Sequence, residues 1–87
     1  MSILGGNIDQ LQQLKSQLVQ ESQNVEALRS RLTNIIGEAY WEGPAAARFK
    51  SDWNGQYSQN LRNLSQVLTD LSAEVQRRTD ALIEVSH

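Results

Sequence analysis

Ten carboxylates, one histidine and no cysteine are the side chains with which this 87-residue chain could move protons, attack a carbonyl or hold a metal ion. Their placement argues against all three. The histidine, His87, is the last residue, so a nucleophile, a base and a group orienting that base cannot be assembled. Without cysteine there is no thiolate nucleophile, no thiolate metal site and no disulfide. The carboxylates, from Asp9 to Glu84, are strewn along the chain, and no Glu-x-x-His pair marks a carboxylate-bridged metal site. The chain is therefore read as non-enzymatic, with no cofactor and no metal.

What remains is recognition chemistry, and it concentrates in two places. All five aromatic residues, Tyr40, Trp41, Phe49, Trp53 and Tyr57, fall between positions 40 and 57. Large rings at one end of a narrow helical body close its seam or, left exposed, serve as a docking surface; both readings stay open. Near the other end of the sequence, Gln76, Asp80, Ile83 and His87 follow one another at steps of three or four, which puts them on one face of a helix. The plainer reading of that face is a solvated helix end where Arg77, Arg78 and Asp80 form weak ion pairs.

Two long helices position these groups. Leu11, Leu18, Val25, Leu32 and Ala39 recur every seven residues, and Leu14, Leu28 and Ile35 fill the companion row, with Glu21 its one polar interruption. Such a double row lays an apolar seam along a helix over about 8–39. Asn7 is expected to cap it, with Gln10 reaching back. A second helix is expected over about 44–85. Leu61, Leu68, Val75 and Leu82 form one of its rows; Tyr57, Leu64, Leu71 and Val85 form the other, interrupted by Arg78. Ala46, Phe49 and Trp53 should carry the stripe back toward its start. Pro44, the only proline, suits a first helical position, and Gly55 is a tolerable interior glycine. Between the helices, Trp41-Glu42-Gly43 supplies a reversal, with Trp41 expected across the tip against both helices.

So short a link, over 40–43, folds the helices back antiparallel into a single all-α hairpin domain. A hairpin this size buries little, and without disulfides or metals it is expected to dimerise into a four-helix bundle. Ile8, Val19, Ile36, Val67 and Ile83 widen the stripes beyond a two-helix seam, as a larger bundle requires. Glu21 and Arg78 read as seam-edge residues reaching water, or as groups fixing register between chains. A net charge of −2 offers no footprint for nucleic acid. No apolar run of about 20 residues could span a membrane, and the beginning of the sequence lacks the pattern of a cleaved signal peptide. Composition alone would leave the protein in the cytosol.

Two long helices around a central Trp41-x-Gly43 turn make the whole chain resemble the WXG100 family, the early-secreted-antigen-like proteins of Gram-positive bacteria and mycobacteria. The resemblance implies an antiparallel dimer, with itself favoured over a paralogous partner. It also implies export by a type VII secretion system through a membrane-bound ATPase, without a cleavable signal peptide, and in some cases alongside a larger effector. One export pattern of the family, Tyr-x-x-x-Asp/Glu, is absent. A second, His-x-x-x-Asp/Glu-x-x-hydrophobic-x-x-x-His, is matched by Asp80, Ile83 and His87, with Gln76 in place of its first histidine. An intracellular adaptor and a membrane-active secreted protein are the alternatives.

Overall fold

The heptad rows become helix almost without interruption. In the computed structural model, which describes residues 3–85 with side chains from residue 8 onward, α1 spans Ile3–Glu38 and α2 Pro44–Asp52. A π-helical turn over Trp53–Tyr57 then joins α2 to α3, Ser58–Val85. There is no strand among the described residues. The molecule is a rod of 64 × 17 × 13 Å, with α1 packed along α3.

α1 starts at Ile3, ahead of the expected start near Ile8, so Asn7 lies within the helix and does not cap it. Glycine disfavours helix by only about 1 kcal/mol relative to alanine, and no proline precedes Ile8 to stop the helix running back through Gly5 and Gly6. At the other end α1 stops at Glu38, where the Ala39 amide still donates to the Ile35 carbonyl at 3.0 Å. Gly43 makes the reversal at φ 107°, the only positive φ among the described residues. Pro44 then opens α2, and the Ala47 amide closes its first turn on the Gly43 carbonyl at 3.0 Å. Lys50 Nζ reaches back across the turn to the Ala39 carbonyl at 3.3 Å, a cation set against the carbonyl end of α1.

The seam between α1 and α3 differs from a leucine zipper. On α1 the inward rows are Leu11, Leu18, Val25 and Leu32 with, four residues further on, Lys15, Ser22, Arg29 and Ile36. On α3 they are Leu61, Leu68, Val75 and Leu82 with Ser58, Ser65, Ser72 and Thr79. Four of the buried residues are hydroxylic: Ser22, Ser58, Ser72 and Thr79, the last only 1% exposed. Small side chains let the helix backbones approach closely, but a buried hydroxyl must find a partner. Ser72 and Thr79 donate to carbonyls in their own helix, Thr69 at 2.6 Å and Val75 at 2.8 Å.

Ser22 and Ser65 work across the seam, each hydroxyl donating to the other's backbone carbonyl at 2.9 and 3.0 Å. The Thr69 hydroxyl lies 2.8 Å from Ser22 Oγ and completes the cluster. One heptad away on both helices, Arg29 Nη1 donates to Ser58 Oγ at 3.2 Å, so the antiparallel register is constant. This register sets Glu21 opposite Gln66, within one turn of Leu64 and far from Arg78 within one hairpin.

Ser22→Ala should cost about 1 kcal/mol through the lost cross-helix bonds, and Ser22→Leu about 1–3 kcal/mol by forcing the helices apart. At fixed protein concentration, thermal unfolding followed by circular dichroism should fall by roughly 4–8 °C per kcal/mol. Equal melting temperatures for both variants and the parent would show that close approach at Ser22 is unimportant.

Candidate functional site

The aromatic residues divide sharply. Trp53 is buried at 8% exposure, whereas Tyr40 is 93% and Trp41 46% exposed, and Phe49 and Tyr57 also face solvent. The division comes from the π turn. Ala46 and Lys50 on α2 and Trp53 at the start of the π turn point inward, and the next inward residue is Ser58, five residues on, before steps of three and four resume at Leu61 and Ser65. A π turn absorbs one extra residue in an α-helix. The stripe expected through Phe49, Trp53 and Tyr57 is therefore split, with Trp53 inside and the other two outside. Gly55, at the centre of that turn, was the one sign in the sequence.

Trp53 fixes the tip to the shaft. Its Nε1–H donates to Thr33 Oγ1 at 3.0 Å, and the Thr33 hydroxyl donates in turn to the Arg29 carbonyl at 2.8 Å. Arg29, which also holds Ser58, is paired with Glu26 through Nε at 3.0 Å and through Nη2. That hydrogen bond holds the Glu26 carboxyl below its ordinary range and raises the guanidinium further. Trp41, expected to straddle both helices, instead packs its ring on Phe49, centroids 5.5 Å apart and planes tilted by 52°. Trp53 is the ring that reaches the opposite helix. Beside the Trp41–Phe49 pair lies an open recess floored by Pro44 and Ala45 and edged by Arg48 and Asp52.

Along the shaft, the second heptad row of each helix stays out of the seam. Leu14, Leu28 and Ile35 on α1, and Leu64, Leu71 and Val85 on α3, are exposed, Ile35 at 60% and Val85 at 77%. An antiparallel pair that turns equivalent heptad rows inward also turns equivalent rows to the same flank. The shallow hollows near the open end agree: Leu14 shares one with Leu11 and Leu82, and Arg78 and Val85 share another with the same two leucines. One side of the rod thus carries exposed leucines above the half-buried rows Leu11, Leu18, Val25, Leu32, Leu61 and Leu68. The opposite flank is polar, with Glu26, Thr33, Arg62 and Thr69.

The C-terminal candidates lie on that polar side. Gln76 Nε2 donates to Asp80 Oδ1 at 2.8 Å, one helical turn apart; Asp80 is exposed and Ile83 half-buried. His87 lies outside the described residues. The expected pairing of Arg77 and Arg78 with Asp80 gives way to Glu74, which Arg77 Nε reaches at 3.1 Å and Arg78 Nε at 3.4 Å. Those partners, Arg77 above all, hold the Glu74 carboxyl below its ordinary range. No group of acidic residues or histidines among the described residues could hold a metal ion.

A family model described as "WXG100: Proteins of 100 residues with WXG" matches residues 6–84. Neither a search of curated proteins nor one of solved structures returns a significant match.

Two predictions come from the tip. The space beside Gly43 is open, so an added methyl meets nothing within 4 Å and Gly43→Ala costs only what its backbone angles demand, about 1–3 kcal/mol in chemical denaturation. A neutral Gly43→Ala would refute the strained reversal. Trp53→Phe should leave a fluorescence spectrum that is red-shifted and strongly quenched by acrylamide, reporting Trp41, while Trp41→Phe should leave a blue-shifted, protected one. Indistinguishable spectra would contradict the division between buried and exposed rings.

Proposed function

Because the chain belongs to the WXG100 family, which implies a small, secreted, type VII substrate-like protein, we propose that it is a non-enzymatic partner or substrate of an ESX/Ess-like system that works as a dimer. The observation that carries this reading is the leucine flank. Fully burying a leucine stabilises by about 1.5–3 kcal/mol, and a rod leaving Leu14, Leu28, Leu64 and Leu71 half-exposed along one side forgoes much of that gain. A second hairpin laid on the same flank covers the row and completes a four-helix bundle. The outline of that face, about 64 Å by 17 Å, is comparable to the roughly 800 Å² per partner of a stable complex.

In the absence of a paralogous hairpin, the second hairpin is a further copy of this chain. In such a dimer the leucine flanks are covered, while Gln76, Asp80 and Ile83 stay on the polar side. The polar side that carries Gln76 and Asp80 is then the face offered to the secretion ATPase, and the aromatic tip the face offered to a larger co-exported effector. The protein is then delivered to the cell surface or the medium without a cleavable signal peptide. No helix among the described residues is long and apolar enough to cross a membrane.

Light scattering on the purified protein should give twice the chain mass. In a host carrying the secretion system, Asp80→Ala should lower export into the medium at least severalfold without changing the helical circular dichroism. Truncation after Val75 should abolish export. Unchanged export of both variants would remove the C-terminal segment from the mechanism. Retention of the intact protein in a host that exports its other substrates would favour an intracellular adaptor.

A further inference from the structure

Glu21 occupies a singular place on the leucine flank. It stands in the row of Leu14, Leu28 and Ile35, is exposed, and among the described residues has only the Asn24 side-chain amide as a hydrogen-bond partner, at 3.3 Å. It also stands at mid-length. α1, Ile3–Glu38, is centred at Gln20 and Glu21, and the stretch from Pro44 to Val85 is centred at Leu64 and Ser65. The cross-helix bonds between Ser22 and Ser65 bring these two midpoints to within one turn of the same level.

A mid-length position has a special property in a two-fold assembly. When two rods overlap along their whole length, reversing one of them leaves its midpoint where it was. Parallel or antiparallel, a full-length dimer built on this flank brings both Glu21 side chains into one central layer with both Leu64 side chains. Leu14 and Leu71 lie in the layer one heptad to one side, and Leu28 and Tyr57 in the layer one heptad to the other. No cation lies in or next to this layer in the heptad rows that face it: Arg78, the nearest basic residue in those rows, lies two heptads of α3 from Leu64. A stagger bringing Arg78 of one copy to Glu21 of the other would leave Ile35 without a facing helix and Leu28 and Tyr57 at the edge of the overlap.

We propose that Glu21 determines the choice of partner on this face: it restrains pairing between two copies of this chain, which gives way to a hairpin presenting an ammonium or guanidinium group in the same mid-length layer. The inference rests on the dimeric reading above. Like charges brought together in a partly dry layer oppose association, whereas an opposite charge there favours it.

The test compares the parent with Glu21→Gln, Glu21→Leu and Glu21→Lys by sedimentation over a range of concentrations, with circular dichroism to verify that the exposed substitution leaves the hairpin intact. Self-association should tighten severalfold in Glu21→Gln and about tenfold or more in Glu21→Leu. Mixed in equal amounts and read by native mass spectrometry, the parent and Glu21→Lys should form mixed dimers well above the half expected from random pairing. Dimers that are unchanged or weakened by Glu21→Gln and Glu21→Leu, or random mixing with Glu21→Lys, overturn the role of Glu21 and leave the dimer standing. A monomer in every variant and mixture overturns the dimeric reading together with this one.

Discussion

Two helices alone have no interior, and the close approach of α1 to α3 along a row of small residues is the constraint on which this molecule depends. Leucine facing leucine at every inward position would hold the backbones further apart and spread the apolar contact over a wider seam. Here Leu61, Leu68 and Val75 are followed, four residues on, by Ser65, Ser72 and Thr79 on α3, Ser58 opens the same row, and Ser22 takes the equivalent place on α1. The helices close onto a narrow strip, and the hydroxyls in that strip are satisfied by carbonyls that the helices already present. The resulting seam is specific in register: Ser22 and Ser65 exchange hydrogen bonds with each other's backbone, which a slip of one residue would break.

The narrowness of the seam explains the rest of the surface. A strip so thin leaves the second heptad row of both helices outside, on one flank. The hairpin is thus held together by one set of residues and offered to a partner by another. The aromatic end repeats this division at smaller scale. Trp53, bonded to Thr33 and thereby to the backbone of α1, belongs to the shaft, whereas Trp41, Phe49 and Tyr40 form a surface.

Much of this was legible in the residues. The two helices, the reversal at Gly43-Pro44, the half-buried rows Leu11 to Leu32 and Leu61 to Leu82, and the family itself follow from spacing and from the Trp41-x-Gly43 turn. The limits are physical. A double leucine row says that an apolar face exists, but it does not divide that face between an intramolecular partner and an intermolecular one. The division is made by the hydroxylic residues, which pattern reading counts as polar and assigns to solvent. Their recurrence four residues after Leu61, Leu68 and Val75 was the available sign. Helix ends were less legible because Gly5 and Gly6 weaken a helix without ending it. The ion pairs near Asp80 were misassigned because Glu74 stands one turn before both arginines and captures them.

The π turn at Trp53–Tyr57 has a consequence for how this molecule can vary. An α-helix transmits orientation rigidly, so every residue gained or lost rotates all that lies beyond it by about 100°. By storing one surplus residue, the turn acts as a phase joint between the aromatic head and the ribbed shaft. Losing that surplus would restore plain α-helix and swing the head around the rod's axis while the seam beyond Ser58 kept its register. Head and shaft are thereby separate units of change: the direction in which the rings point can be reset at Gly55 without renegotiating a single rung of the ladder below.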